Sequence, residues 1–272
     1  MVAFPNCKIN LGLQITQKRA DGYHNIETVF YPIAFNDILE IIPTNNHNNI
    51  EYNSSGIPII GNNEDNLCIK AYHLLKKDFP QIPSIQMHLH KNIPMGAGLG
   101  GGSADGSFVL KMMNQQFQLQ LSDTQLIEYA MLLGSDCPFF ILNTPCIGRG
   151  RGEILTPIVL DLSAYKILII NPGIHINTGW AFSQIIPSQP KLSIEQIIQQ
   201  PIETWKGQLI NDFELPVCKQ YPEIATLITQ LYNANAVYAA LSGSGSSVFA
   251  LFEKLESIQL SFPDHYYTKL VD

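Results

Sequence analysis

The feature that most constrains this chain is a cluster of glycines between two regular segments. Residues 96–106 contain six of the nineteen glycines. The alternating segment 84–90 before them predicts a strand, and the apolar stripe over 104–117 predicts a helix after them. Glycines permit positive φ and a close approach of ligand to backbone. Because converging N–H groups and a helix N-terminus near Gly102 attract anions, the pattern predicts a phosphate-binding loop.

Other glycine-rich motifs fit these residues less well. Gly96, Gly98 and Gly101 formally match the dinucleotide-binding G-x-G-x-x-G pattern, but residues 91–94 separate them from the strand, and no clear βαβ unit with a terminal acid follows. A Walker A loop needs a lysine where Gly102 leads directly to Ser103. Protein-kinase landmarks such as H-R-D and D-F-G are absent. A flexible linker is not expected so tightly between a strand and an apolar helix.

Composition excludes several classes of protein. The net charge of −7 disfavours a generic nucleic-acid binder, which needs a basic face. No apolar run reaches about 18 residues, so no transmembrane helix is expected, and residues 1–8 lack the pattern of a signal peptide. The five cysteines are widely spaced without a C-x-x-C motif, which favours free thiols over zinc. We therefore expect a cytoplasmic protein with neither nucleic-acid nor membrane partners.

Hydrophobic periodicity gives a coarse secondary structure. Alternation over 9–15 predicts a half-buried strand, Asp21-Gly22 predicts a turn after it, and the amide-rich segment 45–49 predicts a loop. Further strands are expected at 26–33, 37–42, 166–171, 237–241 and 248–252. Further helices are expected at 66–79, from an N-cap at Ser122 to 133, and from Pro222 with a buried face of Ile224, Leu227, Ile228 and Leu231. At 272 residues the chain suits one large domain or two modest ones, and we place two domains at 1–158 and 159–272.

The loop P-M-G-A-G-L-G-G-G-S at 94–103 resembles the phosphate loop of the GHMP kinase superfamily. Within it, the chain is similar to the 4-diphosphocytidyl-2-C-methyl-D-erythritol kinases. D-G-Y-H at 21–24 separates that family from its galactose, mevalonate and homoserine relatives. The other matching segments are K-I-N-L at 8–11, R-A at 19–20, E-D-N-L at 64–67, L-G-S-D-C-P-F-F at 133–140, G-E-I-L at 152–155 and S-G-S-G-S at 242–246.

The resemblance implies a fold and an activity. The fold is α+β, the two-domain GHMP kinase fold, with an N-terminal ribosomal protein S5 domain 2-like domain and a C-terminal ferredoxin-like α/β sandwich domain. The activity is transfer of the γ-phosphoryl group of ATP, with Mg²⁺, to the 2-hydroxyl of a cytidine-diphosphate-linked methylerythritol. This is a step of non-mevalonate isoprenoid biosynthesis. The partner implied is a small molecule, and we expect a monomer or a weak homodimer.

Two residues carry the family's catalytic roles by resemblance. Asp136 would accept or orient the proton of the substrate hydroxyl. Lys8 would keep that carboxylate ionised and offset the charge that develops on the phosphoryl group. The residues alone favour a plainer interpretation, in which Lys8 is a solvated lysine at a strand start and Asp136 caps the turn before Pro138.

Binding residues are implied in the same way. Tyr23 and His24 match the family's cytosine-binding pair, whereas the plainer interpretation has both packing on the sheet. Asn10 would contact the substrate, and Thr178 and Phe182 would line the substrate side, with Phe182 facing the base opposite Tyr23. The ATP-binding residues implied are Asn66, Leu67, Lys91, Pro94, Met95, Gly96, Ala97, Gly98, Leu99, Gly100, Gly101, Gly102, Ser103 and Asp105.

The sequence departs from the family at Asp105, where an asparagine is usual. A carboxylate near phosphates is repulsive unless Mg²⁺ or the helix N-terminus offsets its charge. Residues that would hold a metal are not predicted, and His88 and His90 are expected to face solvent without a third ligand. Two other functions stay open: a GHMP kinase for homoserine, mevalonate or a sugar, and a nucleotide-binding regulator without activity.

Overall fold

The computed structural model describes residues 1–45 and 49–272, so the predicted loop at 45–49 lies largely outside the described residues. The strands are β1 (Val2–Ala3), β2 (Asn6–Lys18), β3 (His24–Asn36), β4 (Ile38–Thr44), β5 (Ile50–Gly56), β6 (Ser84–Lys91), β7 (Cys146–Arg149), β8 (Ile154–Pro157), β9 (Tyr165–Asn171), β10 (Tyr238–Leu241), β11 (Val248–Glu253) and β12 (Tyr267–Val271). The helices are α1 (Leu67–Asp78), α2 (Gly101–Gln116), α3 (Asp123–Leu133), α4 (Cys137–Leu142), α5 (Thr178–Ser183), α6 (Ile194–Ile198), α7 (Glu214–Gln220) and α8 (Pro222–Asn233). This mixture of helices and sheets confirms the α+β class.

Backbone proximity groups the chain into two compact units that exchange segments along the sequence. The first unit comprises Met1–Cys7, Ala34–Met95 and Gly100–Thr144, and the second comprises Lys8–Ile33, Gly96–Leu99 and Pro145–Asp272. The glycine-rich loop is thus divided, with its first glycines in the second unit and its last ones in the first. The continuous boundary between 158 and 159 stays a prediction.

The first unit contains a mixed sheet in the order β1-β4-β6-β5. Strand β6 pairs antiparallel with β4 and parallel with β5. Its apolar residues Ile85, Met87 and Leu89 are buried, as the alternation predicts, and they join a core with α1 and α2. The sheet therefore supports the two helices that carry the predicted nucleotide-binding residues Leu67, Gly101, Gly102, Ser103 and Asp105.

Helices α1 and α2 approach each other closely at a glycine. Asn66 caps α1 by accepting a hydrogen bond from the N–H of Cys68. A Cβ on Gly106 of α2 would lie 2.9 Å from the Cβ of Leu67, closer than packed carbons come. Gly106 therefore sets the distance between the start of α1 and the second turn of α2.

The second unit contains two sheets. One is antiparallel in the order β10-β11-β9-β12, and the other has the order β2-β3-β7-β8. Helix α8 begins at Pro222 as predicted, and its predicted apolar face is buried in the core of this unit. Both strands expected around the second glycine-rich turn, 242–247, are present as β10 and β11.

The predicted half-buried character of the first long strand is wrong. Residues 6–15 of β2 are buried on both faces, including the polar Lys8, Asn10 and Gln14. Asn10 donates through Nδ2 to Thr28 Oγ1 at 3.0 Å and through its backbone N–H to Ser242 Oγ at 3.3 Å. Polar side chains with such partners tolerate burial, and a period of two does not reveal that their face is covered.

Replacement of Gly106 by alanine is expected to destabilise the first unit. The new methyl group must displace α1 or α2, so we expect the free energy of unfolding to fall by about 1–3 kcal/mol. Gly102→Ala is the matched control, because no atom lies within 4 Å of the position its Cβ would occupy. Urea denaturation of both variants measures the difference, and equal stabilities would contradict the close-packing account.

Candidate active site

In the glycine-rich turn, residues with positive φ alternate with residues whose side chains are buried. Gly96 and Gly98 have φ of 62° and 79°, the left-handed region that glycine adopts readily. Between and after them, Ala97 and Leu99 are 3% and 1% exposed. The buried side chains of Ala97 and Leu99 hold the turn against the protein interior. Gly96 and Gly98 allow the left-handed backbone conformation that the turn requires.

The two glycine-rich turns of the sequence pack against each other inside the second unit. A Cβ on Gly98 would lie 2.0 Å from the carbonyl oxygen of Ser242. Ser242 Oγ donates to the carbonyl oxygen of Gly98 at 2.9 Å, and the N–H of Ser247 donates to the carbonyl oxygen of Ala97 at 3.1 Å. Only glycine fits at position 98, so the second turn holds the first in place.

The Lys8 ammonium is part of the same arrangement. Its Nζ donates to the carbonyl oxygen of Gly98 at 3.0 Å and also bonds Asn10 Oδ1. Its backbone N–H donates to the carbonyl oxygen of Leu99 at 2.9 Å. Lys8 is 3% exposed, which excludes the interpretation as a solvated lysine. The structure therefore places the predicted catalytic lysine against the glycine-rich turn.

Helix α2 begins within the glycines, earlier than the predicted start of its apolar stripe. Gly100 is the N-cap, with a φ of 71° and no side chain to bond the first turn. The N–H groups of Gly101, Gly102 and Ser103 belong to that first turn, where helices have no intrahelical acceptor for them. The space beside Gly102 is open. These N–H groups and the helix dipole together favour an anion.

A cavity of about 200 Å³ lies within the first unit. It brings together six of the residues predicted to bind nucleotide: Asn66, Leu67, Lys91, Met95, Gly102 and Asp105. Sequence reasoning missed Cys68, Leu89, Asp65 and the segment 59–62, which complete its wall. The cavity is thus mainly apolar, with a few polar groups.

At one wall of the cavity, Lys91 bonds two carboxylates. Its Nζ donates to Asp105 Oδ2 at 2.7 Å and to Asp37 Oδ2. Asp37 also accepts through Oδ1 from the N–H groups of Asn92 at 2.6 Å and Ile93 at 2.9 Å. Lys91, Asp37 and Asp105 are at most 2% exposed. The expected counter-charge of Asp105 was Mg²⁺ or the helix end, whereas the structure supplies Lys91.

Burial dominates the titration of this cluster. It raises the pKa of the Asp105 carboxyl to about 8, because the stabilising charge of Lys91 is partly offset by the nearby Asp37 carboxylate. Burial alone would lower the pKa of Lys91, but the two carboxylates outweigh it and raise that pKa. Asp37 is the member that sequence reasoning missed. Its only signal is that Asp37, together with Glu40, interrupts the otherwise largely apolar stretch 33–42.

Asp136 stands at the N-cap position of α4, and its side chain makes no capping hydrogen bond. The interpretation of Asp136 as a turn cap is therefore wrong. The turn is held instead by Ser107 Oγ, which lies 2.8 Å from the carbonyl oxygens of both Ser103 and Cys137. Burial raises the pKa of the Cys137 thiol to about 12 and keeps it neutral.

The predicted pyrimidine-binding residues lie in the second unit. Tyr23 is 55% exposed, and the guanidinium of Arg151 lies 4.4 Å from its ring centroid. The rings of His24 and Phe182 stack at 4.9 Å with an interplanar angle of 14°. Burial and Lys18 lower the pKa of His24, which favours its neutral form. Phe182 thus lies on His24, and its placement opposite Tyr23 stays a prediction.

The remaining predicted residue, Thr178, is the first residue of α5, and its Oγ1 lies 3.2 Å from Ser244 Oγ. His88 and His90 both lie within hydrogen-bond distance of Ser55 Oγ. Over the described ranges, no group of three or more His, Cys, Asp or Glu side chains could hold a metal. In the same ranges, no helix has the length and apolar character needed to cross a membrane.

Gly98→Ala is expected to disrupt the packing of the two glycine-rich turns. Gly96→Ala is its control, since both positions have positive φ but the nearest atom to a Cβ on Gly96 is His175 Nδ1 at 3.9 Å. We expect Gly96→Ala to lower the free energy of unfolding by about 1 kcal/mol from strain alone. Gly98→Ala should lower the free energy of unfolding by clearly more, because its Cβ would also clash with the carbonyl oxygen of Ser242. Urea denaturation measures both variants, and equal losses of stability would contradict the close packing of Gly98 against Ser242.

Comparisons with known proteins agree with this geometry. Residues 66–144 match the family model "GHMP kinases N terminal domain", and residues 198–268 match "GHMP kinases C terminal". A crystal structure of 4-(cytidine 5'-diphospho)-2C-methyl-D-erythritol kinase superposes with a TM-score of 0.79 at 27% identity, covering 100% of this chain and 99% of that one. A homoserine kinase from Cytophaga hutchinsonii shares the fold, with a TM-score of 0.69 at 15% identity over 98% and 95% of the chains. The expected GHMP kinase fold is confirmed.

Curated relatives are similar over nearly their whole length. The 4-diphosphocytidyl-2-C-methyl-D-erythritol kinase of Bacteroides thetaiotaomicron is 53% identical over 254 residues, covering 93% of this chain and 92% of the relative. That of Bacteroides fragilis is 50% identical over 259 residues, covering 95% and 94%. The chain therefore belongs to the 4-diphosphocytidyl-2-C-methyl-D-erythritol kinase family of the GHMP kinases.

Proposed function

We propose that this chain transfers the γ-phosphoryl group of ATP to the 2-hydroxyl of 4-diphosphocytidyl-2-C-methyl-D-erythritol. The observation that carries this function is the near-full-length identity of about half with kinases of that name. The reaction belongs to non-mevalonate isoprenoid biosynthesis. We further propose that the chain works in the cytoplasm as a monomer or weak homodimer, without nucleic-acid or membrane partners.

The phosphates of ATP bind to backbone N–H groups of the glycine-rich loop. Support comes from the positive φ of Gly96 and Gly98, from the N–H groups in the first turn of α2, and from the open space at Gly102. A helix N-terminus adds about half a positive charge. ATP enters as its Mg²⁺ complex. The described residues contain no all-protein metal cluster, which suits an ion that usually keeps several waters and takes phosphate oxygens.

The adenosine of ATP occupies the cavity of the first unit. Asn66 and Leu67 begin α1 at its wall, and Lys91 and Asp105 supply its buried polar groups. Pro94 and Met95 lead from β6 into the loop, so a nucleoside here lies beside the phosphate site. The size of about 200 Å³ and the mainly apolar wall suit a flat heterocycle.

Lys8 and Asp136 carry the transfer. The transition state of phosphoryl transfer is loose, so positioning and charge compensation matter more than a strong base. Lys8 is already desolvated and bonded to the Gly98 carbonyl, which orients its ammonium at low entropic cost. Asp136 accepts or orients the proton of the attacking hydroxyl.

The cytidine end of the substrate binds in the second unit. Tyr23, His24 and Phe182 provide ring faces for stacking, worth about 1 kcal/mol each. His24 in its neutral form offers one donor and one acceptor to the pyrimidine edge. Asn10 and Thr178 contact the polar parts of the substrate.

Turnover with defined acceptors tests the function. Purified protein with Mg²⁺ and ATP is expected to phosphorylate the cytidyl substrate and to leave homoserine, mevalonate and galactose unchanged. Turnover restricted to one of those three acceptors would overturn the substrate assignment. Nucleotide binding without turnover on any acceptor would favour a regulator.

Asp136→Asn is expected to keep ATP affinity and to lose turnover by several orders of magnitude, because the hydroxyl proton loses its acceptor. Asp123→Asn is the control, an exposed acid in the first turn of α3. Single-turnover assays and calorimetry separate chemistry from binding. Near-wild-type kcat in Asp136→Asn would remove this residue from the reaction.

Phe182→Leu is expected to raise KM for the cytidyl substrate about fivefold and to leave KM for ATP unchanged, since the ring that stacks on His24 and on the pyrimidine is lost on the substrate side alone. Phe262→Leu provides the comparison, because its ring also stacks, on Tyr266 at 6.5 Å. Steady-state kinetics with each substrate varied in turn measure both effects. An equal rise for both substrates would argue against a role of Phe182 in cytidine binding.

A further inference from the structure

The turn at 19–23 fixes the backbone of Tyr23. The carbonyl oxygen of Tyr23 accepts from the N–H of Arg19 at 2.8 Å, and the N–H of Tyr23 donates to Asp21 Oδ1 at 3.1 Å. Asp21 is held in turn by an ion pair with Arg19 at 2.9 Å. These contacts fix the main chain of Tyr23, and none of them restrains its ring, which retains two side-chain torsions.

A second turn of the same unit, the tip of the β7–β8 hairpin, carries Arg151. Gly150 has a φ of 69° there, and its carbonyl oxygen accepts from the N–H of Ile26 on β3 at 2.7 Å. The backbone N–H of Arg151 donates to Glu153 Oε2 at 2.5 Å. The hairpin tip is thus joined to the first turn of residues in β3, so its backbone holds Arg151 beside Tyr23.

The guanidinium of Arg151 covers one face of the Tyr23 ring. It lies 4.4 Å from the ring centroid, within the range of a cation–π contact. Both nearby carboxylates are bonded to other groups, Asp21 to Arg19 and Glu153 to a backbone N–H. The distance of 4.4 Å leaves no room for a planar ring between the two groups. Tyr23 is 55% exposed, so a base can stack on the opposite face.

We propose that Arg151 is a positioning residue for the pyrimidine: its guanidinium holds the Tyr23 ring so that the opposite face receives the base. The inference rests on the proposed function, because it needs cytidine at Tyr23. An exposed aromatic side chain samples several rotamers, and a base that stacks on it selects one of them. A ring that Arg151 already holds loses less entropy on binding, which raises the affinity for the base without any contact between Arg151 and the substrate.

Steady-state kinetics of two variants test this role. In Arg151→Ala we expect KM for the cytidyl substrate to rise about threefold to fivefold, the range of an exposed cation–π contact, with kcat and KM for ATP unchanged. Arg151→Lys keeps a cation over the ring and should recover part of the loss. An unchanged or lower KM in Arg151→Ala, or a lysine variant as weak as the alanine variant, would overturn the proposal.

Lys206→Ala is the matched control. Lys206 Nζ lies 4.1 Å from the ring centroid of Tyr232, a cation–π contact in the same unit that includes none of the proposed substrate-binding residues. We expect this variant to keep the wild-type KM for both substrates. A rise in KM equal to that of Arg151→Ala would show that the loss of any such contact weakens binding, and it would overturn a specific role of Arg151.

Calorimetric titration with cytidine and with cytidine diphosphate separates positioning of the ring from a direct contact with phosphate. Both ligands carry the same base, so we expect Arg151→Ala to raise Kd by the same factor for each. A loss of affinity confined to cytidine diphosphate would assign the guanidinium to the phosphates and overturn the proposal. Failure of the wild-type protein to bind either ligand would contradict the proposed function and the positioning role together.

Fluorine NMR tests the ring contact without any ligand. In protein labelled with 3-fluorotyrosine, the line of Tyr23 is the one that Tyr23→Phe removes. We expect Arg151→Ala to shift this line, because the ring loses the cation over its face, and Lys206→Ala to leave it in place. An unmoved Tyr23 line in Arg151→Ala would overturn the proposal even if the protein phosphorylates the cytidyl substrate.

Discussion

Close approach of two glycine-rich backbones is the constraint on which the rest of this site depends. Gly98 leaves no room for a side chain beside Ser242, and its carbonyl oxygen accepts from both Ser242 Oγ and Lys8 Nζ. The loop that contains Ser242 and the buried ammonium of Lys8 thereby hold the first glycine-rich turn in place. A loop held in this way keeps its N–H groups oriented before a ligand arrives, which lowers the entropic cost of binding.

Individual buried lysines, and not the net charge of the protein, determine the electrostatics around the glycine-rich loop and the cavity. The chain carries a net charge of −7 and belongs to a family whose members use ATP, a polyanion. Two lysines are buried in different ways. Lys8 Nζ donates to the carbonyl oxygen of Gly98 and bonds Asn10 Oδ1, whereas Lys91 Nζ is bonded to the carboxylates of Asp37 and Asp105.

Local signals in the sequence predicted many elements correctly. The helix expected from residue 66 forms as α1, Ser122 caps α3 with a full capping box as predicted, and Pro222 begins α8. Such signals act within a few residues and so survive in the fold. The glycine cluster predicted a loop between β6 and α2 for the same reason.

Features that depend on distant residues escaped prediction. Asp37 forms an ion pair with Lys91, which lies 54 positions away in the sequence. No local sequence pattern near either residue predicts this ion pair. The polar side of β2 is buried because Asn10 meets Thr28 and Ser242, which periodicity does not reveal. The stacking of Phe182 on His24 also escaped prediction, because α5 and the start of β3 are remote in sequence.

Amide hydrogen exchange with and without MgATP tests most directly whether the backbone of the glycine-rich loop holds the phosphates. The N–H groups at the start of α2, Gly101–Ser103, have no acceptor within the helix, so they should exchange fast in the free protein and slow markedly on binding, together with those of 96–100. Adenosine should protect the cavity segment 59–68 but leave the amides of 101–103 unchanged. Protection by MgATP that spares the loop would contradict the account.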